Sequence, residues 1–382
     1  MRNMAYVVEV TELVPIEGCD KIQVIKNGQN GYNVIGSKDI KVGDHLVYFE
    51  VDSILPEKPV FEFLRARCYK PALNGFLIKN MKMRGVYSNG LLIPLADLGL
   101  AAKYDKIGKD LTDVIGVGKY EPAEDASPVE NKLPVWKKRI KGFLMHYPCT
   151  RWLGKMLFIK TKISGDFPTH LIAKSDEENI QNHKDWFEKH KDEMCYVTTK
   201  MEGQSVMALI DPKTKKYGNY NRNSWANPTV QKFLKEKEYE KKLKGLKTHY
   251  AVMGEFCDPT VQKGTRKNGS HHYLFNVKNL DKGEYLNFED MIKFCDDNGF
   301  EHVPVLYSGV KLGELFKSVE DMQDFVEHQW FQPGDNTLKN FDDREPGFSK
   351  AGKHRQEGIV VRALDMSWSF KVKSNEYQLA GL

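Results

Sequence analysis

The sequence predicts an α+β chain: a small all-β barrel or sandwich over residues 1–120, then a mixed domain. Two observations carry this. The first 120 residues hold short β-branched and aromatic runs, each closed by turn residues, at the spacing of a compact all-β module. Beyond them, charged runs of helical spacing mix with short strand candidates, without the regular alternation of a parallel sheet. A third observation permits real cores. The 382 residues are 41% hydrophobic and 29% charged, which excludes a disordered chain and fits about two or three domains.

The predicted elements follow in order. Tyr6–Val10, Ile22–Ile25, Tyr32–Ile35, His45–Val51 and Leu91–Leu95 read as strands, broken at Gly18, Asn27-Gly28, Asn30-Gly31, Gly43-Asp44 and Asn89-Gly90. Residues 121–140 read as a linker, with Pro122, Pro128 and Pro134 among mixed charges, ending in the basic run Lys137-Lys138-Arg139. In the second domain, 141–382, His183–Met194, Thr229–Lys247, Phe288–Asp297 and Ser318–Trp330 read as helices, with Ser318 as a cap. Val206–Ile210, Ala251–Gly254, Tyr273–Val277, Ile359–Arg362 and Phe370–Val372 read as strands.

Net charge is 57 − 52 = +5, compatible with a polyanion partner and equally with an ordinary enzyme. No apolar stretch approaches the ~18–20 residues of a membrane span, and Met1-Arg2-Asn3-Met4 precedes no signal-like apolar region. The six cysteines are scattered and form no CxxC, so a zinc site or disulfide framework is not expected and a reducing, cytoplasmic compartment is.

Four segments of the second domain carry chemistry together. They are Lys200-Met201-Glu202-Gly203, Gly254-Glu255, Glu357-Gly358-Ile359-Val360-Val361-Arg362 and Lys371-Val372-Lys373. Each alone is a commonplace: a surface turn, a strand end, a solvated pair of lysines. Their order is not. Lys371 and Lys373, two apart in a strand, share one face.

In that order the motifs resemble the ATP-dependent RNA ligases of the covalent nucleotidyltransferase superfamily, relatives of DNA ligases and capping enzymes, over residues 160–382. Asp166-Phe167-Pro168 and Lys174–Asn182 resemble a segment ahead of the nucleophile in one RNA-ligase branch. Val14–Ile22, Val42-Gly43-Asp44 and Val51–Pro56 resemble the N-terminal OB-fold module of RNA ligases from a protist, bacteria and phages. The resemblance implies a nucleotidyltransferase domain of antiparallel sheets preceded by an OB-fold barrel. It further implies the joining of a 3′-OH RNA end to a 5′-phosphate, as in a nicked duplex, in RNA repair. The enzyme would be a monomer in the cytoplasm, the host's if phage-encoded.

The resemblance also implies roles. Lys200 is the nucleophile that carries AMP from ATP; Lys371 and Lys373 contact the α-phosphate. A free lysine is only about one part in 10³ neutral at pH 7, so neighbouring positive charge is expected to aid deprotonation. Glu202, Glu255 and Glu357 are candidate Mg²⁺ or Mn²⁺ ligands, while Glu255 and Glu357 serve equally to orient ribose hydroxyls. Gly203 completes the nucleophile motif and Phe275 stacks on adenine; Arg222 resembles an arginine that reaches phosphate or ribose. Ser205, where family members often carry Asn, and the basic loop residues Lys263, Arg266 and Lys267 are expected at RNA phosphates. In the OB module, Lys79, Lys82 and Arg84 with Tyr87 form the expected RNA surface. The run Lys232–Lys247, interleaved with glutamates, reads first as a solvated helix face, and His271-His272 as structural.

Two other readings stand beside this one. A DNA ligase or a GTP-using capping enzyme is disfavoured because the chain stops nine residues past Lys373, leaving no room for a C-terminal OB domain. A nucleic-acid-binding protein with an inactive nucleotidyltransferase domain predicts a broken motif, and all four are intact.

Overall fold

A computed structural model describes residues 3–100, 102–120, 167–173, 177–222, 224–258, 270–331, 338–340, 354–355 and 357–379. The linker expected at 121–140, and Lys263, Arg266 and Lys267, lie outside the described residues.

The N-terminal module is a five-stranded antiparallel sheet, in the order Leu91–Pro94, His45–Phe49, Ala5–Pro15, Ile22–Asn27, Asn33–Ser37. The long first strand serves two neighbours. Ala5 to Glu9 pair with His45–Phe49, and Val10 to Pro15 pair with Ile22–Asn27 across a bulge between Val10 and Glu12. Such a bend lets one strand turn a barrel corner. A four-stranded sheet, Gly118–Lys119, Ser53–Pro56, Gly75–Leu77, Tyr69–Lys70, covers it, with Phe49, Phe61 and Phe76 fully buried between them.

The second domain is built on two sheets. A four-stranded antiparallel sheet runs Val305–Lys311, Met194–Lys200, Gly358–Ala363, Ser369–Lys373. One face, Cys195, Val197, Ile359, Val361, Phe370 and Val372, is covered by Lys184–His190, Leu312–Leu315 and Val319–Glu327. A six-stranded sheet holds Tyr217–Asn221, Gln204–Ile210, Tyr250–Cys257, His271–Asn279 and Glu284–Tyr285, with Glu301–His302 added in parallel to His271–Asn279. It packs on Pro228–Glu236, Tyr239–Lys244 and Phe288–Asn298.

Caps set the helix starts. Asn227, Asn287 and the expected Ser318 each accept a backbone N–H three residues on. Three expected helices are shorter in the fold, Ser318–Trp330 among them, because Gln329–Phe331 is a strand. Thr229–Lys247 is split where Glu238 adopts φ +55°, and the His183–Met194 run ends at His190 because Met194 already opens a strand. No helix among the described residues is long and apolar enough to cross a membrane.

Candidate active site

One row of the four-stranded sheet builds the site. Lys200, the last residue of its strand, lies opposite Gly358, and Gly358 lies opposite Lys373. The next row holds Thr198, Val360 and Lys371. Strand alternation therefore puts Lys200, Lys371 and Lys373 on one face, opposite the helix-packed one. Gly358 sits at φ +153°, and a Cβ there would come within 1.9 Å of the Val372 carbonyl oxygen. Gly203 is just as confined: its Cβ would stand 2.4 Å from the Phe256 oxygen and 3.0 Å from Cγ of Glu255. The glycine of the nucleophile motif thus presses the Lys200–Gly203 turn onto the strand that carries Glu255.

Glu357 ties the row together. It is 8% exposed, and its Oε1 lies 3.0 Å from Nζ of Lys200 and 3.0 Å from Nζ of Lys373. Burial raises the Glu357 pKa, but the two ammonium groups outweigh it and hold the carboxyl below its usual range. For Lys200, burial favours the neutral amine; Glu357 and then Glu255 outweigh this and hold the ammonium well above the usual lysine range. Among the protein's own groups, carboxylates rather than the neighbouring lysines dominate the field at Lys200.

The other expected residues fall as follows. Lys371 donates its backbone N–H to the Glu178 oxygen at 2.8 Å, fixing the segment ahead of the nucleophile to this strand. Tyr377 hydrogen-bonds Glu202, and its phenol is pushed far up by burial and then by the charges of Glu357, Glu202 and Glu255. Among the described residues they form no cluster of three or more metal-ligating side chains. Their hard oxygens still suit Mg²⁺ or Mn²⁺, which keep several waters and take few carboxylates. Ser205 lies opposite Glu255, and half-buried Arg222 follows the strand Tyr217–Asn221.

Phe275 is the extra residue of a β-bulge, since Met253 pairs with Asn276 while Gly254 pairs with Leu274. The bulge lets Leu274 and Val277 both face the helices, and leaves half-buried Phe275 on the other side. Bulges commonly re-aim a side chain beside a site. His272, buried, contacts the Tyr239 hydroxyl at 3.0 Å and the Val206 oxygen at 3.1 Å, while His271 faces Glu301, so both are structural. Within Lys232–Lys247, Lys232, Lys241 and Lys244 pair with Glu236, Glu238 and Glu240, as a solvated face does.

The OB-module surface is different from the expectation. Lys79 and Arg84 are exposed, but Lys82 and Tyr87 both bond Glu376 of the second domain. Asn89 donates to Asn375 at 2.9 Å and Asn80 to Gln378 at 2.6 Å, so this hairpin side is a domain joint. Sequence reading gave no role to Tyr377, Glu177 or Arg362. For Arg362 a signal existed: a charge ending a buried strand run, Ile359-Val360-Val361.

The fold is that of a nucleotidyltransferase, with the motif lysines on one sheet face. Residues 193–375 match the family model described as RNA ligase, and residues 4–95 match an OB-fold domain model. The second domain is thus similar to the RNA ligase family and the N-terminal module to an OB-fold domain. Solved structures of the Naegleria gruberi RNA ligase share the fold. A mutant with AMP and Mn superposes at TM-score 0.73 and 24% identity, covering 99% of each chain. The structure with PPi gives TM-score 0.73 and 24% identity, covering 100% of this chain and 99% of that one. An apo mutant gives TM-score 0.75 and 23% identity at the same coverage. No curated protein matches the sequence.

Proposed function

We propose that this chain is an ATP-dependent RNA ligase that seals a 3′-OH RNA end to a 5′-phosphate end, acting as a monomer in RNA repair. The observation that carries the reading is the row Lys200, Glu357, Lys373, a nucleophile and a phosphate-binding cation held on one buried carboxylate. The structures with ATP and Mn, and with PPi, are of a protein of the same fold, which supports the choice of nucleotide. Free thiols at Cys19, Cys68, Cys195, Cys257 and Cys295 fit a reducing, cytoplasmic compartment.

In the first step the Lys200 amine attacks the α-phosphorus, forms the N–P bond and expels pyrophosphate. Its proton leaves first, to solvent, because Glu357, held below the usual carboxylate range, is too weak a base to take it from the ammonium. Lys371 and Lys373 stabilise the negative charge that builds on the α-phosphate oxygens. The AMP then passes to the RNA 5′-phosphate oxygen, freeing Lys200, and attack by the 3′-OH forms the phosphodiester and releases AMP. A divalent cation on Glu202, Glu255 and Glu357 would supply positive charge that disfavours the Lys200 ammonium. Glu255 and Glu357 are assigned equally to orient the ribose hydroxyls. Arg222 and Ser205 are assigned to nucleotide and RNA phosphate, and Lys79 and Arg84 to RNA.

The test is covalent labelling. After pyrophosphate stripping, incubation with α-labelled ATP and Mg²⁺ is expected to leave a label on the protein through a denaturing gel, and none on Lys200→Ala. Label from GTP alone would replace the reading with a capping-type enzyme; no label from either nucleotide would leave a binding protein.

A further inference from the structure

The helix Asn375–Leu379 begins two residues past Lys373 and lies between the OB module and the catalytic row. Its start is tied to the site. Ser374 donates its backbone N–H to the Glu357 oxygen at 2.9 Å, and Gln323 Nε2 donates to the Lys373 oxygen at 2.9 Å. Successive residues of a helix step by about 100° around its axis, so Asn375, Glu376 and Gln378 fall on one half and Tyr377 on the other. The contacts divide the same way. Asn375, Glu376 and Gln378 meet Asn89, Lys82, Tyr87 and Asn80 of the OB module. Tyr377, 4% exposed, turns to the site and hydrogen-bonds Glu202.

A second tie runs from the module to the same strand. Gly31 donates its N–H to the Gln181 oxygen at 2.8 Å, three residues after Glu178, whose oxygen accepts from Lys371 at 2.8 Å. The module thus grips the strand Ser369–Lys373 by the segment beside it and by the helix that follows it. Glu202 stands two residues after Lys200, in the turn that Gly203 presses onto the Glu255 strand. A phenol carried by the helix and bonded to Glu202 fixes that turn, and reacting groups displaced by about 1 Å lose on the order of 100-fold in rate.

We propose that Tyr377 is a positioning residue for lysyl-nucleotide formation, and that through it the OB module holds the nucleophile turn in place. The phenol acts by orienting Glu202, and Glu376 keeps the helix that carries it on the module's hairpin. This rests on the ligase reading and adds to it a residue and a route that the chemistry at Lys200 does not itself require.

The test uses the full-length protein, stripped with pyrophosphate, and follows label from α-labelled ATP and Mg²⁺ over a range of ATP concentrations. Tyr377→Phe removes one oxygen and keeps the ring. It is expected to lower the maximal labelling rate about tenfold to hundredfold and to leave the ATP KM within about threefold. Glu376→Ala, at the domain joint and partly exposed, is expected to lower the maximal rate about threefold to tenfold. In the double variant the Glu376→Ala effect is expected to vanish, because the route it acts through is already cut. Melting curves separate positioning from stability: a purely structural role would lower the melting temperature and leave the rate per folded molecule unchanged. An unchanged rate in Tyr377→Phe, or effects of the two changes that multiply independently, would overturn the proposal while leaving the ligase intact. If Tyr377→Phe does not fold, Glu376→Ala decides: a slower rate at unchanged KM supports the route, and an unchanged rate overturns it. No label from ATP on the wild type would bring down the ligase reading as well.

Discussion

Nζ of Lys200, the proposed nucleophile, lies 3.0 Å from Oε1 of Glu357, and that carboxylate, together with Glu255, favours its protonated form. The same oxygen holds Lys373, so one carboxylate offsets two cations across three strands.

Glu357→Gln keeps the shape and removes the charge. Two lysines then face each other half-buried without their counter-ion, and breaking a buried pair costs about 3–5 kcal/mol. The expected result is a lower melting temperature together with about 100-fold slower labelling by ATP, the scale of reacting groups displaced by about 1 Å, because Lys200 and Lys373 lose the carboxylate that positions them. Unchanged labelling would show that Glu357 only packs.

Gly358→Ala is expected to be more damaging than its one methyl suggests. The Cβ would meet the Val372 oxygen at 1.9 Å and force a strained φ, and strain of this kind costs more than about 3 kcal/mol. Little soluble protein at 37 °C is the expected outcome, read by expression and thermal melting.

His272 should give the protein an acid-sensitive leg. Burial pushes its imidazole down to about 4 from 6.5, despite acceptors at Val206 and Gly254. The unfolded chain therefore binds the extra proton between pH 6.5 and 4, and stability falls as pH drops through that window. The loss is on the order of 3 kcal/mol, and flat below it. Melting curves at pH 7.5, 6 and 5 test this; His272→Gln should flatten the upper part of the slope.

Asn89→Leu removes the side chain that spans the domain joint through Asn80 and Asn375. It is expected to cost about 1–3 kcal/mol and to separate the unfolding of the two domains in a calorimetric scan. Lys82→Ala, whose ion pair is partly exposed, should cost under about 1 kcal/mol.

Most strands were legible because their signal is local. Val206–Ile210 and Phe370–Val372 are β-branched or apolar runs between turn residues, and they are strands. The break at Glu238 was not, since nothing about a glutamate announces φ +55°. The lysines and carboxylates of the site were legible from their order. Their sharing of one oxygen was not, because the strand that carries Lys200 meets Glu357 only through a cross-strand pairing of distant segments. Lys82 was read as an RNA contact because a basic hairpin looks alike whether it faces solvent or Glu376.

The bulge at Phe275 makes the strand His271–Asn279 a two-phase element. Before it, even-numbered residues such as His272 and Leu274 point to the helices; after it, odd-numbered Val277 does. Deleting one residue at the bulge would mend the ladder and leave every hydrogen bond countable as before. It would also turn one half of the strand over, carrying His272 out of the core or Val277 out of it. The strand therefore tolerates substitution far better than it tolerates a change of length, and a shortened variant should lose its core before its site.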